Sequence, residues 1–212
     1  MNPKPTPQRR AANEDSATRE RLLEATGRIV ATEGLTAATS RRITAAAGAN
    51  LAAITYHFGS KDALVHAALA REVERLVEPA MTLLEAATDD PVQRLLGATQ
   101  QLLQTFEQQR ERSPAYLVAL VEAVRRQDGG ADGPAAVVGR LRNRLSAVIS
   151  ALIGNGTVPR WVDPDAMASL IVATANGIAL QSALEPDGPT PLDQALQFAQ
   201  LLLSAQADRP AD

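Results

Sequence analysis

Residues 39–58 read TSRRITAAAGANLAAITYHF, and the spacing inside this stretch decides the architecture. Ile43 and Ala47 stand at i, i+4 before Gly48, and Ile54 and Phe58 stand at i, i+4 after it, so two short helices each turn one apolar pair inward. Thr39 is placed to cap the first helix and Asn50 the second, because each offers a side-chain oxygen to backbone N–H groups that lack partners in an opening turn. Gly48 supplies the positive φ that a tight inter-helix turn requires. Two helices joined this way form a helix-turn-helix, whose second helix enters the DNA major groove. On that helix Ala52, Ala53 and Thr55 are small and outward, which lets the backbone come close to base edges.

Working outward, residues 1–15 read as a disordered tail, with Pro3, Pro5, Pro7, Arg9 and Arg10 and no apolar periodicity. A helix is predicted from Ser16–Thr18, its stripe Leu22, Thr26, Ile29 and Val30, ending at Gly34. A second long helix starts at Ser60 with Leu64, Val65, Ala68, Leu69, Val73, Leu76 and Val77 on one face, and Pro79 is predicted to kink or end it. Five prolines then follow a cap or turn residue: Asp90-Pro91, Ser113-Pro114, Gly133-Pro134, Asp163-Pro164 and Thr190-Pro191. Proline suits the first helical position, where its missing N–H would have no partner anyway, so helices are predicted from 91, 114, 134, 164 and 191. Their stripes are Leu95, Thr99, Leu102, Leu103, Phe106; Tyr116, Leu117, Leu120, Val121, Val124; Val137, Leu141, Leu145, Val148, Ile149, Leu152; Leu170, Ile171, Thr174, Ile178, Gln181; and Leu192, Leu196, Ala199, Leu202, Leu203. Residues 208–212 read as a frayed end. No run alternates with a period of two, so the fold class is all-α.

Composition agrees. Of 212 residues, 45% are hydrophobic and 3% aromatic, so the chain buries a core of Leu, Ala, Val and Ile, which favours helices. Cysteine is absent, which excludes disulfides, Cys-ligated zinc, iron–sulfur clusters and cysteine nucleophiles. The polar opening carries no signal peptide, and a cytoplasmic protein is expected. Residues 166–184 are uncharged, but Ser169, Thr174, Asn176, Gln181, Ser182 and many alanines make them a buried helix rather than a membrane span. Net charge is +3 over residues 1–70 and −6 over 71–212, which reads as an anion-binding module on an acidic body; scatter is the competing reading. No Ser/His/Asp or carboxylate–His constellation is present, so no enzyme and no cofactor are expected. His57 and His66, the two histidines, lie on separate predicted helices, so no metal site is expected. Gly154-Asn155-Gly156 lacks the Lys and spacing of a phosphate loop and reads as a helix stop.

The module from Thr18 to about Leu69 resembles the TetR family of transcriptional regulators. The resemblance rests on Glu33-Gly34, on Ile43-x-x-x-Ala47-Gly48, and above all on Tyr56-His57-Phe58-Gly59-Ser60-Lys61-Asp62-x-Leu64. It implies about nine helices: a three-helix DNA-binding domain over 16–59, and a helical effector-binding and dimerisation domain over 60–207. It makes Asn50–His57 the recognition helix, with Tyr56 and His57 contacting DNA, Lys61 gripping a phosphate and Thr39 meeting the backbone. The DNA-facing set is then Thr39, Arg42, Asn50, Leu51, Ala52, Ala53, Thr55, Tyr56, His57 and Lys61, with a solvated face as the competing reading for Arg42 and core packing for Tyr56. Thr55 departs from the Tyr frequent at that position in the family. The function implied is a homodimeric repressor, paired through the helices from Pro164 and Pro191 and released from a pseudo-palindromic operator by a small apolar effector. A TetR-like activator and a protein-interaction module without DNA binding are the alternatives. Phe106, Tyr116, Trp161 and Asn176, sparse large or polar residues of the body, are the candidates to line an effector site; ordinary packing competes for each.

Overall fold

A computed structural model describes residues 7–86, 90–126, 132–185, 187–194 and 196–197. Among them run eight α-helices and no strand: α1 Pro7–Glu33, α2 Ser40–Ala47, α3 Leu51–Phe58, α4 Lys61–Leu84, α5 Pro91–Gln108, α6 Ser113–Arg126, α7 Pro134–Gly154 and α8 Pro164–Leu184. Short 3₁₀ turns at Leu35–Ala37 and Arg110–Arg112 precede α2 and α6. Helical residues resume at Pro191, where Thr190 and Asp193 cap each other: Asp193 N–H donates to Thr190 Oγ1 at 3.1 Å, and Thr190 N–H to Asp193 Oδ2 at 3.2 Å. The expected stripe residues Ala199, Leu202 and Leu203 and the segment 208–212 lie outside the described residues, as do 1–6 of the expected tail.

Caps set most of the starts. Asp90 Oδ1 accepts from Val92 N–H at 2.8 Å and Asp163 Oδ1 from Ala166 N–H at 2.7 Å, each with proline at the first helical position. Ser113 differs. It is itself helical, continuing the Arg110–Arg112 turn, and does not stand outside α6 as a cap. Two expectations about length are also corrected. α1 begins at Pro7 rather than Ser16, because Gln8 to Ala12 are good helix formers even without an apolar stripe. α4 does not end at Pro79, one of the two outcomes expected there, but runs on to Leu84 with the proline inside it.

The chain divides into two compact units, Met1–Glu74 with Pro114–Val137, and Arg75–Ser113 with Val138–Asp212. In the first, α1 packs on α2 and α3, and α2 on α3. Its core includes Leu22, Thr26, Val30, Ile43, Ile54, Leu64, Leu69 and Val73, all buried. Gly27 lets Glu72 of α4 lie against α1: a Cβ there would stand 2.2 Å from Glu72 Oε1. In the second unit Leu76, Met81, Leu103, Phe106, Leu141, Leu145, Val148, Ile149 and Leu152 are buried. Arg144 pairs with Glu85 at 2.6 Å, and Ser146 Oγ donates to Asp165 Oδ1 at 2.6 Å, tying α7 to the ends of α4 and α8.

Two helices turn faces other than those expected. In α6 the buried residues are Ser113, Ala115, Tyr116, Ala119, Glu122 and Ala123, while Val121 and Val124 are exposed. In α8 the buried residues are Ala168, Val172, Ala179 and Ser182, while Leu170, Leu180 and Leu184 are exposed. An apolar-all-round helix has no periodicity to mark its inner face. α8 is also long and apolar enough to cross a membrane by length and composition, yet only 17% of that window is buried within the chain. The buried helix expected there is therefore an open one in the single chain.

Candidate nucleic-acid interface

The turn between α2 and α3 forms as its residues dictate. Gly48 adopts φ 60°, ψ 39°, a left-handed conformation, and Ala49 N–H reaches back to the Thr44 carbonyl at 2.9 Å. Thr39 Oγ1 accepts from Arg42 N–H at 3.4 Å, and Asn50 Oδ1 from Ala53 N–H at 2.9 Å, so both expected caps are present. Ser60 Oγ accepts from Ala63 N–H at 3.0 Å and opens α4. The second helix therefore ends two residues before the long helix that leads away from it.

α3 has two sides. Ile54 is buried, and Leu51, Ala52, Thr55 and Tyr56 form one continuous exposed face, with Tyr56 75% exposed. Asn50 and Thr39 are exposed and Ala53 is half-buried. This face is apolar and small apart from two hydroxyl groups, one on Thr55 and one on Tyr56, the groups able to hydrogen-bond to base edges or phosphates. Lys61 is exposed at the start of α4, its Nζ 3.5 Å from Asp62 Oδ1, and Arg41 is exposed on α2. Arg42 is exposed but pairs with Glu33 at the end of α1.

His57 is placed differently from the rest of the expected set. Its side chain is only 7% exposed, and Nε2 lies 3.7 Å from Asp15 Oδ1 of α1. The ring meets Tyr56 edge-on, with centroids 4.9 Å apart, and Phe58 at 6.2 Å. In the free chain it turns toward Asp15 of α1 rather than standing on the outer face with Tyr56. Phe58 is half-buried, with the Arg19 guanidinium 5.2 Å from its ring centre. Arg21 Nε donates to the Ala47 carbonyl at 3.0 Å, capping the C-terminus of α2, and one of its terminal nitrogens donates to Thr18 Oγ1 at 3.0 Å. Asp15, Arg19 and Arg21 were not singled out from sequence. The available signal was charge on α1 at Asp15 and Arg19, which share a face at i, i+4, with Arg21 on another side of the helix, and the partners of all three lie far along the chain.

The four effector candidates are distributed over both units. Phe106, Trp161 and Asn176 belong to the second unit and Tyr116 to the first. Phe106 and Tyr116 are buried, and burial pushes the Tyr116 hydroxyl up to about 12. Trp161 is 83% exposed between α7 and α8, and Asn176 is half-buried.

Comparison with known proteins agrees with this geometry. Residues 22–68 match the family model of bacterial regulatory proteins, tetR family, and residues 91–208 match that of the BetI-type transcriptional repressor, C-terminal. A sequence search of curated proteins finds no match. Among solved structures, a TetR transcription regulator from Haloarcula marismortui is similar at TM-score 0.70 and 24% identity, over 91% of this chain and 97% of that one. A transcriptional regulator from Saccharomonospora viridis in complex with choline is similar at 0.69 and 24%, over 86% and 95%. SmeT, the repressor of the Stenotrophomonas maltophilia multidrug efflux pump SmeDEF, is similar at 0.64 and 23%, over 80% of each chain.

Proposed function

The chain belongs to the TetR family of DNA-binding transcriptional regulators, and on that premise we propose that it is a repressor released from a pseudo-palindromic operator when a small molecule binds its C-terminal body. We assign DNA binding to residues 16–59 and effector response and dimerisation to 60–207, with the protein acting in the cytoplasm beside its DNA. The observation that carries the DNA assignment is the open face of α3: Leu51, Ala52, Thr55 and Tyr56 exposed together on a helix capped by Asn50. Thr39, Asn50, Ala53 and Lys61 flank that face, and Arg42 reaches a phosphate only by leaving Glu33. One recognition helix reads few base pairs, so two copies act on two half-sites.

Members of the family form dimers. In this chain the exposed leucines 170, 180 and 184 of α8, with Leu192 and Leu196 after Pro191, support a two-fold interface on these helices. Lack of charge over 166–184 fits an interface core. A lining of Phe106, Tyr116, Trp161 and Asn176 around an apolar effector finds little support, since two are packed and one faces solvent. An effector coupled by about 1–3 kcal/mol would change operator affinity roughly 5- to 150-fold.

The experiment is a gel shift with the DNA upstream of the protein's own gene. Tyr56→Ala and Lys61→Ala should weaken binding while the dimer, followed by sedimentation, stays intact. Unchanged affinity in both variants would remove the assignment of these contacts.

A further inference from the structure

We propose that a cleft beside the Arg110–Arg112 turn binds a small anionic metabolite through a phosphate or carboxylate group and is the effector site; this rests on the ligand-responsive reading above. The cleft measures about 500 Å³, within the range of metabolite sites. Arg75 of α4 lines it together with Arg110 and Arg112, against the carboxylates of Glu107 and Glu111. Three guanidiniums and two carboxylates thus line the cleft.

Among the described residues, the buried Arg110 Nε donates to no group and the buried neighbouring Gln109 Oε1 accepts from none. A buried guanidinium N–H left unpaired carries a desolvation cost, which an oxyanion in the cleft removes when the Arg110 side chain turns toward it. The planar guanidinium matches phosphate and carboxylate oxygens. Gln109 Oε1 asks in addition for a donor, so the fitting ligand carries a hydroxyl or N–H group beside its anion. Among the described residues no aromatic ring lines the cleft, and a quaternary ammonium group finds no π face among them. Arg75 gives the site its route to DNA, because it stands on α4, whose first residue, Lys61, follows the recognition helix by two residues.

The test titrates the full chain calorimetrically with tripolyphosphate and separately with citrate at constant ionic strength, with tetramethylammonium chloride as the cationic comparison. At least one anion should bind saturably, and which of the two does so tells phosphate from carboxylate. Arg110→Gln should weaken that binding about ten- to a hundredfold. Arg110→Lys, which keeps the charge without Nε, should fall between, and Arg142→Gln, an exposed arginine of α7 outside the cleft, should leave binding unchanged. Thermal melts followed by circular dichroism check that the variants fold, and Arg110→Lys carries the comparison if Arg110→Gln does not. No saturable anion binding, or equal binding in the Arg110 variants, overturns the site. A gel shift with the bound anion reads the second half: unchanged operator affinity overturns the effector role. Release by tetramethylammonium with no anion bound overturns the cleft and leaves the ligand-responsive repressor standing, whereas no DNA binding under any condition removes that reading and leaves the titration to be judged alone.

Discussion

Tyr56 and His57 are neighbours in sequence and face different ways, Tyr56 to solvent and His57 to Asp15. Successive residues on a helix are about 100° apart, so only one can lie at the centre of a given face. The motif string made both visible, but which of the two points outward depends on α1, whose Asp15 is distant in sequence. Arg21 acts through the same packing. Arg21→Met keeps the stem but leaves the Ala47 carbonyl without its donor, and should cost about 1 kcal/mol of unfolding free energy by urea titration, with a weaker operator complex. Tyr116 gives a pH prediction. Its hydroxyl is raised from 10.0 to about 12 by burial, so the folded chain holds a proton that the unfolded chain releases first. Stability from this group is complete below pH 10 and falls as pH rises toward 12, at roughly 1.4 kcal/mol per pH unit. Tyr116→Phe should lack this component, and the difference between the two proteins' unfolding curves at pH 9 and pH 11 checks it.

Among the elements, α4 and α7 were legible along their whole stripes, whereas on α5 only Leu103 and Phe106 of the expected stripe are buried and Thr99 is exposed. Every stripe position expected on α4 and α7 is buried, and the caps Thr39, Asn50, Asp90 and Asp163 all accept the bonds their chemistry offers. The start of α1 was not legible, because Pro7 to Asn13 form helix by propensity without a stripe to announce it. The inner faces of α6 and α8 were not legible either. Alanines pack where larger neighbours were expected, and only close approach of another element selects between them. Two glycines test the geometry of these elements. Gly27→Ala should destabilise by about 1–3 kcal/mol, as a methyl group cannot share space with the Glu72 carboxylate without shifting α1 from α4. Gly48→Ala meets no neighbour but must adopt a left-handed turn, and should cost about 1 kcal/mol in thermal or urea unfolding.

For the molecule as a whole, the family and the helical plan were readable from one motif and five proline starts, while the cleft at Arg110 was not, since Arg75 lies far in sequence from Arg110 and Arg112 and all three look like surface charge. Leu180→Glu with Leu184→Glu should shift the protein from dimer to single chain in sedimentation, and operator affinity should fall with it. Operator binding should also weaken steeply between low and physiological salt, read as the slope of log K against log salt, with Lys61→Ala lowering that slope by about one. The open side of α8 then carries a cellular consequence. If only the paired form spans both half-sites, occupancy at low copy number rises with the square of protein abundance. A cell that halves its stock of this regulator, at division or by slowed synthesis, would lose about three quarters of its bound operators in that regime, and the proposed pairing through these leucines would then set a threshold on operator occupancy.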